Sequence, residues 1–139
     1  MDSDPAGFLH DLVAAVNSHD IEALVACFAE GYVNATPVHP ARGFTGVDQV
    51  RTNWSTIFAA VPDIAATIKA QAVNANTIWS EWALDGTRAD GSPHHMRGVM
   101  IFDVAGRQTT GVRFYLEPLD EGAMDINAAV RQGVGGGPS

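Results

Sequence analysis

At 139 residues the chain is one domain's worth, since single domains usually run about 100–200 residues. Hydrophobic residues make up 46% of it, an ordinary globular share, so a core can form and wholesale disorder is excluded. Eight basic residues against sixteen acidic ones leave a formal charge of −8, which argues against a nucleic-acid partner, because binding a phosphate backbone needs clustered Lys and Arg.

The charge is uneven along the chain. From Met1 to Ala41 there are six acids and no base, whereas Arg42 to Arg113 carries six acids and seven bases. The single cysteine, Cys27, excludes an internal disulfide. It sits in an apolar helical run, Leu24 to Phe28, and reads as a buried, inert thiol. No stretch approaches the ~18–20 apolar residues of a membrane span, and Met1 to Pro5 lacks the basic start of a signal peptide. A cytoplasmic protein with no membrane partner is expected.

Asp4 before Pro5 is a helix start, an acidic cap ahead of a proline at the first helical position. Phe8, Leu9, Leu12, Val13 and Val16 then recur at spacings of three and four, which predicts an amphipathic helix to about Asn17. Asp20 caps a second predicted helix, with Ile21, Leu24, Val25 and Phe28 on one face and Gly31 as its stop. A short extended segment from Tyr32 to Val38 leads into a loop with Pro37, Pro40, Gly43 and Gly46. A third helix is predicted from Val47 to Ala60, stopped by Pro62-Asp63.

The period then changes from 3.6 to 2. Strands are predicted over Ile64–Asn74, Thr77–Asp85, His94–Val104 and Arg107–Leu116, joined by short turns. A short helix between Asp120 and Gln132, ended by Gly133, closes the chain. Three helices followed by a meander make an α+β domain with helices on one face of an antiparallel sheet. One domain is expected over residues 1–132, with a flexible Gly-rich tail over 133–139.

Several phrases in this order resemble the SnoaL-like branch of the nuclear transport factor 2-like superfamily. They are Asn17-Ser18-His19-Asp20 with Ala23-Leu24 and Phe28-Ala29, Gly43-Phe44-Thr45-Gly46, and Phe58 to Asp63. Trp82 to Thr87, Arg97-Gly98-Val99 and Tyr115-Leu116-Glu117-Pro118 complete the set, so the resemblance spans residues 6–118. It implies a cone-shaped, curved sheet wrapped around a pocket, closed by the helices, in a homodimer.

The branches differ in which polar side chains enter the cone, because fold alone does not set function. The ketosteroid isomerase branch needs an acid before a strand-one proline, plus a Tyr and a protonated Asp, a donor that serves as a known illustration of a carboxyl kept neutral. Here Thr36 precedes Pro37, and Leu12 and Gly98 stand at the other two positions, so that chemistry is disfavoured. The limonene epoxide hydrolase branch pairs a Tyr and an Asn two apart, as Tyr32 and Asn34 are. Its acid and arginine positions fall on Ser80, Trp82 and Phe114, so the carboxylates are missing. The polyketide cyclase branch places an acid at the end of the last strand, near Glu117, where a carboxyl in an apolar cavity suits proton transfer. The alternative is a solvated Glu117 beside Pro118.

Arg113 shares a strand face with Tyr115 and Glu117; turned inward it would hold a carboxylate ligand, turned outward it is a surface charge. His39 lies in the loop expected to rim the pocket, His94 and His95 point to opposite faces, and His19 sits in a helix–helix turn. No spacing of three or four convergent ligands suggests a metal, and no cofactor is expected. Trp54, Phe58, Trp82, Phe102, Phe114 and Tyr115 should converge under the third helix, with Met96 and Met100, and accept an apolar small molecule. Trp79 and Trp82 lie on opposite faces.

Three hypotheses follow. The chain is a cofactor-independent isomerase, cyclase or hydrolase using Glu117 with His39, or Tyr32 and Asn34, on an apolar oxygenated metabolite. Alternatively it holds such a ligand without turning it over, or it is a structural dimer with a filled cone.

Overall fold

Asp4 and Pro5 start the first helix in the way their chemistry suggests. In the computed structural model, which describes residues 3–134, Asp4 Oδ1 accepts the Gly7 N–H at 2.9 Å and Pro5 opens α1 (Pro5–Ser18). Phe8, Leu9, Leu12, Ala15 and Val16 form its buried face. His19 ends it with φ 55°, in the left-handed region, and its Nε2–H donates to the Ile64 carbonyl at 2.8 Å. That bond ties the helix–helix turn to the sheet, a structural use of the imidazole.

The second helix is shorter than its apolar face predicts. Asp20 caps it by accepting from Ala23 N–H at 3.0 Å, but α2 spans only Ile21–Val25, and Phe28 begins β1 (Phe28–Ala35). Gly31 is no helix stop. With φ 80° it sits where β1 changes register between Phe28 and Val33, and a bulge can take the left-handed conformation that glycine tolerates. A single 3-10 turn (Pro40–Arg42) and the short β2 (Phe44–Thr45) lead to α3 (Val47–Ala60).

Then come β3 (Ala65–Asn74), β4 (Thr77–Thr87), β5 (Pro93–Ala105), β6 (Gln108–Pro118) and α4 (Ile126–Val134). The last helix starts within the expected segment and runs through Gly133 rather than ending at it. Of the expected flexible tail, residues 135–139 lie outside the described residues.

The six strands form one curved, unclosed sheet in the order β2-β1-β6-β5-β4-β3. The meander from β3 to β6 is antiparallel throughout, as its tight turns require. The first strand departs from the expected all-antiparallel sheet, since β1 pairs with β6 in parallel. No hairpin joins these two strands, so no turn dictates their relative direction.

Two contacts give the sheet its shape. Gly98 in β5 has φ 155°, and a Cβ there would lie 2.1 Å from the Tyr115 carbonyl oxygen. Only glycine permits that approach of β5 to β6. On the edge strand, Asn17 accepts the Ala66 N–H at 2.7 Å and donates to the Ala66 carbonyl at 3.1 Å. The pair fastens the end of α1 to β3 and satisfies edge groups that would otherwise be open.

Helices α1 and α3 pack on one face of the sheet, with α2 against both of them. Phe8 meets Phe102 edge-on at 5.0 Å between ring centroids, and Phe102 meets Trp82 at 6.5 Å. Trp82 is buried and Trp79 is half exposed, on opposite faces as their spacing of three requires. Cys27 is buried, and burial pushes its thiol up to about 11, with the Asp11 carboxylate adding to the rise. At neutral pH the group stays a thiol.

Candidate ligand pocket

A cavity of about 260 Å³ lies between α3 and the helix-covered face of the sheet. Its walls are mostly apolar. Trp54, Val50 and Ile57 come from α3, and Trp82, Met100 and Phe102 from the facing strands. On β6 the lining residues are Phe114 and Leu116. In register, Phe114 pairs with Met100 and Leu116 with Gly98, so the even-numbered residues of β5 and β6 face inward.

Polar groups enter from a narrower origin. Tyr32, Asn34 and Thr36 alternate along β1 and its end, so all three reach the same side of the strand and line the cavity. The Tyr32 hydroxyl donates to Asn34 Oδ1 at 3.1 Å, and burial pushes the phenol pKa up, so it remains a protonated donor. With Oδ1 engaged, the Asn34 amide N–H groups have no partner among the described residues. Thr36 Oγ1 is buried with no hydrogen-bond partner among the described residues. Arg42 and Asn53 supply the remaining polar lining.

No carboxylate, imidazole or thiol is among the residues lining this cavity. Among the described residues, no group of three or more His, Cys, Asp or Glu side chains is placed to hold a metal ion.

The sequence profile of the SnoaL-like domain matches residues 9–112, most of the chain. The chain belongs to the SnoaL-like domain family.

Solved structures share the fold of this SnoaL-like domain at low sequence identity. IdmH, a putative polyketide cyclase from Streptomyces antibioticus, is 19% identical with a TM-score of 0.71, over 82% of this chain and 92% of that one. RV0760c from Mycobacterium tuberculosis, solved in complex with estradiol-17β-hemisuccinate, is 21% identical with a TM-score of 0.67, over 78% and 89%. An LEH-like epoxide hydrolase from M. tuberculosis is 13% identical with a TM-score of 0.68, over 79% and 80%. No curated protein matches the chain in sequence.

The residues singled out in the sequence divide between the two faces of the sheet. Tyr32, Asn34, Trp54, Trp82, Met100 and Phe102 line the cavity together. Phe58 does not; it packs behind Trp54, ring centroids 5.7 Å apart, and against His19. Arg113, Tyr115 and Glu117 do share a face, but it is the outer one, since Phe114 and Leu116 occupy the inner. Strand alternation therefore removes Tyr115 from the expected aromatic convergence.

His39 is also outside the lining, and its Nε2–H donates to Glu117 Oε1 at 2.7 Å. The outer face of the neighbouring strands holds a second such pair. His95 Nδ1–H donates to Asp85 Oδ1 at 2.6 Å, and Arg97 donates to the same oxygen at 2.9 Å. Partial burial raises the Asp85 pKa, but these two hydrogen bonds outweigh it and hold the carboxyl below its usual value. His94 lies beside Arg88 at 3.3 Å, so neither adjacent histidine enters the cavity.

The sequence reading missed Thr36 and Arg42 as lining residues. Thr36 carries a usable signal, since it continues the two-residue period of Tyr32 and Asn34. The strict alternation of Val112, Phe114 and Leu116 with Arg113, Tyr115 and Glu117 likewise marks the apolar set as inward. Arg42 carries no sequence signal, because only the pairing of β1 with β2 brings its loop to the pocket.

Proposed function

We propose that this SnoaL-like domain binds an apolar, oxygenated small molecule in the cavity beneath α3, and that it holds the ligand rather than transforming it by carboxylate or imidazole catalysis. The observation that carries this reading is the lining itself. An apolar cavity ends in the Tyr32–Asn34–Thr36 stripe, where the buried Thr36 hydroxyl has no partner among the described residues. Such a cavity rewards an apolar body with a polar atom at one end. Glu117 and His39 lie across β6 from the cavity, which supports a holding role over proton transfer by that pair.

The size supports a small ligand. A cavity of roughly 150 Å³ holds benzene, so about 260 Å³ accommodates about ten non-hydrogen atoms on the same scale. The test uses the intrinsic fluorescence of Trp54 and Trp82 in the cavity wall. Titration with neutral aromatic and terpenoid alcohols of this size should change the emission saturably. Ile57→Trp, which fills the cavity from α3, should abolish the change while the circular dichroism spectrum is retained. Binding unaffected by that variant would place the ligand elsewhere.

We also propose that the outer sheet face pairs two copies of the chain. Trp79 is 48% exposed there, opposite Ile101 on β5, with Val99 and Tyr115 paired in the adjoining rows. An exposed tryptophan among apolar neighbours is a common feature of an interface centre. Sedimentation should give a dimer that Trp79→Glu converts to monomer; a monomeric wild-type chain would end this reading.

A further inference from the structure

We propose that the ligand of this cavity is an apolar monocarboxylate, its carboxylate received by Arg42, Asn34 and Thr36. The inference rests on the ligand-pocket reading above and specifies the class of ligand.

The β1–β2 hairpin gathers these groups at one end of the cavity. Val33 pairs with Thr45 and Asn34 with Phe44, so the chain leaving Thr36 must return within a few residues. His39 N–H donates to the Thr36 carbonyl at 2.9 Å and Arg42 N–H to the His39 carbonyl at 2.9 Å, which winds the loop tightly. Arg42 thereby joins Asn34 and Thr36 in the cavity lining, at the hairpin end.

All three groups have capacity to donate and none is spent. Arg51, Arg97 and Arg107 each face a carboxylate within 3.3 Å. Arg42, like Arg88, Arg113 and Arg131, has no acidic partner among the described residues, and of these four it is the one that lines the cavity. Asn34 is 9% exposed and Thr36 8%, so both are more than nine-tenths buried. The Asn34 carbonyl oxygen accepts from Tyr32, and its N–H groups have no partner among the described residues. The Thr36 hydroxyl has no partner.

A neutral alcohol or ketone would answer one of these donors. A carboxylate has two oxygens and about four acceptor sites, enough for a guanidinium fork together with an amide and a hydroxyl. Among the described residues no acid lines the cavity to oppose the charge. Arg42 itself is exposed, at the rim. The ligand would therefore enter with its apolar body against Trp54, Trp82 and Met100 and keep its charged end near the hairpin.

The test compares 3-phenylpropanoate with 3-phenylpropan-1-ol, which share one apolar body, by tryptophan fluorescence titration of the wild type and Arg42→Gln. Arg42 is exposed and makes no contact that the fold depends on, so the variant should fold. The acid should bind wild type at least about tenfold tighter than the alcohol. Arg42→Gln should remove that preference and leave the alcohol within about threefold. Raising salt from about 0.05 to 0.5 M should weaken the acid only. Equal affinities in the wild type, or acid binding untouched in Arg42→Gln, would overturn the carboxylate assignment. If the alcohol still binds in those cases, the pocket reading survives. If neither probe binds, both are overturned.

Discussion

His39 Nε2 donates to Glu117 Oε1 across 2.7 Å on the side of β6 that faces away from the cavity. Imidazole and carboxylate in this geometry have the form of an acid–base pair, yet the strand between them and the cavity turns Phe114 and Leu116 inward. The partly exposed hydrogen bond links the loop after β1 to the end of β6. Glu117→Gln should leave the affinity of cavity ligands within about twofold of wild type and lower stability by no more than about 1 kcal/mol. Fluorescence titration and urea unfolding measure the two. A large loss of binding would move Glu117 back to the site.

Thr36 Oγ1 offers the opposite test, because burial without a partner among the described residues costs stability. Thr36→Val replaces the hydroxyl with a methyl group of similar shape. It should stabilise the unliganded domain by about 1 kcal/mol in urea unfolding and weaken binding of an oxygenated ligand. A variant that is less stable than wild type would mean the hydroxyl is already satisfied.

Gly98 is where sheet curvature depends on a single missing side chain. A Cβ would meet the Tyr115 carbonyl oxygen at 2.1 Å and Leu116 Cα at 2.8 Å, backbone atoms that cannot swing aside. Gly98→Ala should therefore cost about 3 kcal/mol or more, read as a lowered urea midpoint. A loss below about 1 kcal/mol would show that β5 and β6 can part without consequence.

Acid should destabilise the fold in two stages. Desolvation lowers the His94 pKa, helped by the Arg88 and His95 charges, so the folded chain holds that proton less tightly than the unfolded one. Its contribution is present above the ordinary histidine value of about 6.5 and lost as pH falls below it through the lower folded value. Asp63, held down mainly by the Thr87 backbone N–H, Asp90, held down mainly by the Ser92 side chain, and Asp85 behave likewise in the carboxylate range below about 4. Melting temperatures should fall from neutral pH through both ranges, and His94→Gln should flatten only the upper one. A melting temperature constant from about pH 7 to 3 would contradict these shifts.

Much of the fold was legible because local chemistry and tertiary structure agree. Asp4-Pro5 caps α1, the two-residue period marks β3 to β6, and the ordered phrases from Asn17 to Pro118 carry the family. The second helix failed where apolar period alone misled: Ile21, Leu24, Val25 and Phe28 fit a helical face, but Phe28 is recruited into β1 by pairing with Thr109 on β6. That partner lies 81 residues away, beyond the reach of any local pattern.

The pocket divides in the same manner. Its apolar wall could be read from residue type, since Trp54, Trp82, Met100 and Phe102 have few other places to go in a domain this size. Its polar end could be read only in part, since Tyr32, Asn34 and Thr36 share a two-residue period but Arg42 carries no such signal. Which face of β6 meets the cavity is a matter of strand phase, and one residue of phase moves Glu117 across the sheet. Arg42 reaches the lining only through the pairing of Asn34 with Phe44. Composition and periodicity thus determined an acidic α+β domain with an apolar interior. Long-range strand register, which depends on contacts between distant residues, decided that the cavity holds unpaired donors and no acid.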